Sequence, residues 1–277
     1  MQSEIILIGN ELLIGKIKDT NGQFIIKQML RFGHQIARIT IIPDCVDTIA
    51  EAIKECVSRS PAFIFISGGL GPTYDDMTFE GIAKAFDVDL VLNETALGFL
   101  KQRYQKLKES GKIKYSDLNQ SRRKMAYLPE NATALFNPAG AAPCALIELK
   151  SKKGFTRIVA MPGFPDELQA IFEMHVLPML EKTHSHYYHA GIRFKGVGES
   201  TLAADVMALR DDYPEIWIKT HPRKTNEPDI NNEIHLTAFL ESDDKEQNEK
   251  LKSRINALKE KCKKIVERFD GAVIDEY

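Results

Sequence analysis

Short apolar runs that do not alternate constrain this chain most. Ile5–Ile8 ends at Gly9, and Ala62–Ser67 enters the segment GGLGPTYDD at 68–76. A run apolar on both faces is the pattern of a parallel strand covered by helices on both sides. Between these runs the spacing turns helical. Asn21–Phe32 places Phe24, Ile25, Met29 and Leu30 on one side, and Gly33 stops it. Gln35–Ile42 is β-branched and strand-like. Val46–Val57 is helical again, with Asp44 or Asp47 as its cap, and a further helix is expected around Phe79–Phe86. Strand, helix, strand, helix, strand implies a mostly parallel sheet with right-handed crossovers, in a three-layer α/β/α domain.

Further along, a long helix is expected over Asn93–Ser110, and 111–125 has no clear pattern. Ala132–Phe136, Cys144–Glu148 and Thr156–Ala160 read as strands, and 162–180 as a helix. The polar segment KTHSHYYHAG, 182–191, reads as a linker. We therefore expect one domain over 1–183 and a smaller α+β domain over 184–277, which fits the about 150 residues of an average domain. In the second, Tyr188–Val197, Glu215–Thr220 and Ile230–Leu240 read as strands and Ser200–Leu209 as a helix. Lys245–Phe269 is a charged amphipathic helix with Leu251, Ile255, Leu258, Cys262, Ile265 and Phe269 on one stripe. That stripe suits packing on its own domain or a dimer interface.

Composition excludes several classes. The formal charge is -2, which argues against a dedicated nucleic-acid binder though not against a local basic patch. No run comes near the about 18 apolar residues of a membrane helix. The start is too acidic for a signal peptide. The four cysteines form no CxxC pair, and a cytoplasmic location follows as the expectation.

In an open parallel sheet, ligands bind beyond the carboxyl ends of the strands. Two polar segments fall there, GNELLIGKIKDTN at 9–21 and GGLGPTYDDMT at 68–78. Gly68, Gly69 and Gly71 allow a tight turn whose amides form an anion nest ahead of a helix. The plainer role is a structural turn. Asp75 and Asp76 either cap that helix or, with Glu11 and Asp19, hold a divalent cation that bridges phosphate oxygens. Asn21 is suited equally to a base or ribose contact and to helix capping. NPAGAAP, 137–143, and MPGFPDE, 161–167, supply two more loops, with Asn137, Gly140 and Gly163 as ligand-facing candidates beside Gly9 and Thr73. His184, His186 and His189 stand among tyrosines in the expected linker. KTHPRK, 219–224, is either a small basic spot or a solvated hairpin.

The motifs GNELLIGKIKDTN, GGLGPTYDDMT, MAYLPENAT, NPAGAAP and MPGFPDE, in that order, resemble the competence/damage-inducible CinA family. The resemblance covers roughly residues 3–180 and lies with that family's N-terminal region, which is related to molybdopterin-binding domains of molybdenum cofactor biosynthesis. It implies a molybdopterin-binding-like fold and cleavage of ADP-ribose to AMP and ribose 5-phosphate. That reaction would depend on Mg²⁺, Mn²⁺ or Co²⁺, with Asp75, Asp76 or Asp19 orienting water. It also implies a small-molecule nucleotide substrate and a homodimer. Many members carry a further domain that deamidates nicotinamide mononucleotide, for which 277 residues leave no room. Two positions depart from the family pattern. Asn10 stands where an aspartate is usual, and Cys144 replaces a glycine and would put a side chain against a ligand. The alternatives are molybdopterin binding or adenylylation, and a nucleotide-binding scaffold without catalysis.

Overall fold

The computed structural model describes residues 2–151, 154–180, 185–222 and 232–277. Parts of the expected linker, of KTHPRK and of the strand at 230 lie outside them. The described chain forms two compact units, one of residues 1–30 with 34–182 and one of 31–33 with 183–277.

The first unit begins with β1 (Gln2–Ile8), the single turn α1 (Asn10–Leu13), α2 (Asn21–Arg31), β2 (Gln35–Ile42), α3 (Val46–Ser58), β3 (Phe63–Ser67) and α4 (Thr78–Phe86). A small excursion follows: β4 (Leu90–Leu92), α5 (Glu94–Glu109), α6 (Gln120–Lys124) and β5 (Tyr127–Pro129). The chain returns through β6 (Thr133–Leu135), β7 (Cys144–Ser151), β8 (Gly154–Met161) and α7 (Pro165–Ile171). A five-residue π turn, Phe172–Val176, then leads into α8 (Leu177–Leu180).

The main sheet has the order β2-β1-β3-β8-β7-β6. Its first four strands are parallel, and β7 and β6 join antiparallel. The apolar runs sit where both faces are covered: Ile5, Ile6, Ile64, Phe65 and Ile66 have no exposed surface. Each such side chain contributes roughly 1.5–3 kcal/mol relative to exposure. One side of the sheet packs Ile49, Ile53 and Ile82 from α3 and α4 with Leu97 and Leu100 from α5. On the other, Phe172 meets Phe24 and Phe65 at ring separations of 5.6 Å.

Several local expectations change. Asp44 and Asp47 do not cap α3; Cys45 holds that position without a side-chain bond. Asp44 instead accepts from the Asn10 amide at 2.8 Å, and Asp47 pairs with Lys84. His186 and His189 lie on a strand rather than in a linker. Within 111–125 the structure has the short helix α6, capped by Asn119.

The second unit runs β9 (Ser185–Lys195), α9 (Glu199–Asp212), β10 (Trp217–Pro222), β11 (Asn232–Glu241), α10 (Lys245–Arg268) and β12 (Ala272–Glu276). Its antiparallel sheet has the order β10-β11-β9-β12. The α10 stripe is buried at Leu251, Ile255, Leu258 and Cys262 within the same apolar cluster as Ile192, Phe194, Ile234 and Leu236. This answers the interface alternative for that stripe: its apolar side is used inside its own domain. Among the described residues no helix is long and apolar enough to cross a membrane.

Candidate functional site

The carboxyl ends of β1, β3 and β8 open into a cavity of about 700 Å³. Ten of the thirteen candidate residues line it: Glu11, Asp19, Asn21, Gly68, Gly69, Gly71, Thr73, Asp75, Asp76 and Gly163. Gly9, Asn137 and Gly140 do not.

The turn after β3 is built on close approach. Gly68 has φ 112°, and a Cβ there would stand 2.1 Å from the Ile8 carbonyl oxygen. Only glycine tolerates both the angle and the contact. Gly69 has φ 65° and presses on Thr78, whose hydroxyl donates to the Gly68 carbonyl at 2.7 Å. Thr78 is fully buried, so the turn is clamped from below by the first residue of α4.

Neither Asp75 nor Asp76 caps α4, whose N-cap is Met77. Both stand within hydrogen-bond reach of the Thr73 hydroxyl, whose one proton goes to either, and Asp76 also accepts from the Thr73 amide at 2.8 Å. The Thr73 bond, helped by Lys124, holds the Asp75 carboxyl below its ordinary range. Lys124 donates to the Thr73 and Asp76 carbonyls, tying α6 to this loop. Thr73 therefore turns inward onto the aspartates.

Asp19 accepts from the Gly22 amide at 2.9 Å and so caps the start of α2. Asn21 is buried, and its amide donates to the Ser67 hydroxyl at 2.9 Å and the Gly163 carbonyl at 2.8 Å. Both donors join the ends of β3 and β8, while Asn21 also lines the cavity. Burial pushes the Asp44 carboxyl up against the lowering pull of the Asn10 amide, and the nearby Glu11 and Asp75 charges push it further.

Asn137 and Gly140 act one step back. Asn137 donates to Glu167 at 2.6 Å and accepts from the Gly140 amide at 2.7 Å. A Cβ on Gly140 would overlap the Glu167 carboxylate. Glu167 does line the cavity, beside Leu70, Tyr104, Met125, Ala141 and Ala142. Burial raises its carboxyl above the ordinary range despite the Asn137 bond and Arg103. Cys144 is fully buried and is not among the lining residues, so its side chain does not block a ligand.

Sequence reading missed Asp44, Glu167, Lys18 and Lys124. Glu167 stands in the quoted MPGFPDE, yet nothing local marks it until Asn137 is brought to it across 30 positions.

The cavity's charge is lopsided. Glu11, Asp19, Asp44, Asp75, Asp76 and Glu167 line it, against Lys18 as the one cation among the described lining residues. At an effective dielectric near 20, each bare carboxylate about 6 Å from a phosphate charge costs roughly 3 kcal/mol. Among the described residues no three His, Cys, Asp or Glu side chains are grouped closely enough to hold a metal ion. The four carboxylates Glu11, Asp19, Asp75 and Asp76 thus form no ready ligand set.

Residues 4–182 match the family model described as a probable molybdopterin binding domain. The chain belongs to that family. Its N-terminal domain is also homologous to CinA-family proteins. It is 31% identical to the crystal structure of CinA, described as of unknown function, from Thermoplasma acidophilum, with a TM-score of 0.56. That match covers 65% of this chain and 99% of the other. Full-length relatives occur in Metallosphaera sedula, 39% identical over 98% of this chain and 96% of the relative, and in Sulfurisphaera tokodaii, 35% identical over 98% and 97%.

Proposed function

We propose that the first domain binds a molybdopterin-class ligand, a phosphorylated pterin. One observation carries this reading: the cavity that the Gly68–Gly71 turn lines is also walled by Leu70, Tyr104, Met125, Ala141 and Ala142, with Glu167 among its carboxyls. Apolar walls suit a flat fused ring. A carboxylate accepts two parallel N–H bonds from the amino-lactam edge of a pterin. The turn's amides suit the phosphate. An adenine ring fits the carboxylate less well, because its ring nitrogen beside the amino group is an acceptor.

The test is titration of pterin fluorescence with the protein, using a pterin monophosphate and AMP as competitor. Saturable quenching that AMP displaces poorly is expected. Glu167→Gln should weaken pterin binding about tenfold, the scale of a lost charged hydrogen bond, and leave AMP unaffected. Equal affinity for both ligands, or no quenching, overturns the reading.

The six-to-one excess of carboxylates over lysine supports a second reading, metal-dependent cleavage of ADP-ribose to AMP and ribose 5-phosphate. A divalent cation binds through one or two carboxylates plus ligand phosphates, keeping several waters, so it needs no all-protein cage. When bound, it neutralises phosphate charge and lowers the pKa of its water. The chain's own part would be to orient the pyrophosphate on the Gly68–Gly71 amides and to offer Asp75, whose carboxylate stays ionised. AMP release on incubation with ADP-ribose and Mg²⁺, Mn²⁺ or Co²⁺, abolished in Asp75→Asn, is the outcome that supports it. Absence of AMP with all three metals removes it.

A further inference from the structure

The second unit has a feature the first-domain site does not use. Its order of elements is β-α-β-β-α-β, and its strand order β10-β11-β9-β12 places the first and third strands, β9 and β11, at the centre. Both helices supply residues to the apolar cluster on one face, with Ile192, Phe194, Ile234 and Leu236. Strand alternation sends Tyr187, His189 and Arg193 of β9 and Glu233, His235 and Phe239 of β11 to the opposite face.

On that face the flat side chains form a continuous shelf. Ring centroids are 4.9 Å apart for Phe239–Tyr187, 5.6 Å for Tyr187–His189, 6.3 Å for His189–His235 and 5.9 Å for His235–Tyr277. Gly191 makes the shelf possible: a Cβ there would lie 2.5 Å from the Tyr277 ring, which fills the gap. The Tyr277 hydroxyl donates to Glu233 at 2.6 Å, so its 2.8 Å contact with His235 Nδ1 is a bond donated by the imidazole. That network holds the two rings side by side at a 34° tilt. On the neighbouring strand Trp217 is 58% exposed, and Lys219 and His221 are exposed beside it. Arg193 lies 5.2 Å over the Tyr277 ring. An open depression of about 460 Å³ runs over Tyr187, His189, Arg193, His221, Glu233, His235 and Tyr277.

We propose that this outer sheet face binds single-stranded nucleic acid, with bases stacked on the ring shelf and the backbone steered by Lys219, with His221 beside it as a hydrogen-bond donor. Four-stranded sheets of this order of elements present rings on their two central strands to unstacked bases in a widespread RNA-binding module. Stacking tolerates any base, because each has a flat face. The near-neutral charge of the whole chain is no obstacle, since the cations concern one face. Glu233 and Asp275 do not oppose them freely, as both pair with Arg193. The two acids cap the strength of the electrostatic part, so stacking carries most of the binding.

The experiment is fluorescence anisotropy of a labelled oligouridylate of about twelve nucleotides, within the site sizes of single-strand binders, titrated with the full chain at two salt concentrations. Saturable binding that weakens with salt is expected. The double variant His189→Ala/Trp217→Ala should weaken it at least about fivefold, the lower bound for a single lost stacking contact. Lys219→Glu, which leaves the rings intact, should weaken it and flatten the salt dependence. Gly69→Ala, in the first-domain turn, should leave it unchanged, which separates this test from that of the pterin site. No anisotropy change overturns the proposal. So does binding that survives both the ring variant and Lys219→Glu, or a wild-type sedimentation profile of a dimer that the double variant converts to monomer without nucleic-acid binding.

Discussion

The two domains build their concave surfaces in opposite ways. In the first, backbone makes the surface: the turn after β3 uses positive φ angles and a contact with Ile8 that leaves no space for a side chain. In the second, side chains make it, as rings projecting from regular strands. A backbone-built site is intolerant at a few positions and indifferent elsewhere. A site built from side chains loses function one ring at a time while the sheet beneath it persists.

The largest expected effect follows from that contrast. Gly68→Ala forces a backbone collision at a left-handed angle and should lower first-domain stability by roughly 3 kcal/mol, from strain and displacement together. Denaturant unfolding should show a first-domain transition moved to lower denaturant with the second in place. A joint shift of both would break the separation of the two units.

Next is the ion pair at the far end of β1, buried at Glu4 and part-exposed at Arg59. Glu4 is 3% exposed and takes two bonds from Arg59 at 2.7 Å. Burial pushes its carboxyl up, but the Arg59 bonds, the Cys56 thiol and the Arg59 charge outweigh that and hold it below the ordinary range. A carboxyl with a depressed folded pKa stabilises above its unfolded pKa and loses that stabilisation as pH falls through the folded value. First-domain stability should therefore be flat at neutral pH and drop in acid, below about pH 4. Arg59→Leu strands the buried Glu4 charge, should cost about 2 kcal/mol at neutral pH because Arg59 is itself part-exposed, and that cost should shrink as pH falls and Glu4 takes up a proton. Thermal melts from pH 3 to 8 read both.

Then comes Asn21→Ala, which removes both bonds between the ends of β3 and β8 and should cost about 1–3 kcal/mol. Smallest is Glu167→Gln. Its carboxyl is raised by burial, so its ionised form opposes folding above the ordinary carboxylate range. The variant should be as stable as the parent or slightly more so at neutral pH, and the difference should vanish in acid. A loss of stability instead would give Glu167 a purely structural role.

The central parallel strands were legible because burial on both faces leaves a local mark, whereas the edge strand Gln35–Ile42, half exposed, was legible from its β-branched residues; α2 and α3 begin where the spacing says. The strands β4, β5 and β12 left no such mark. They are three to five residues long or carry charge on an edge, as Asp275 and Glu276 do, and only their partners define them. For the site, glycines and acids near strand ends pointed to the right loops. They did not reveal how side chains there are spent. Thr73 and Asn21 line the cavity and are also internal ties, Asn21 to a carbonyl 142 positions away that only folding brings near. Glu167 shows the reverse. It reads as one more acid near a helix start, and acquires its distinct environment from Asn137 and Gly140.

The Asn21 tie has a kinetic consequence. By fastening the ends of β3 and β8 to one another, its amide sets the width of the cavity floor before any ligand arrives. A floor already in its bound shape asks for little ordering on association. Ligands of different fit should then arrive at similar rates and differ in how long they stay, so that selectivity in this domain is a matter of residence time.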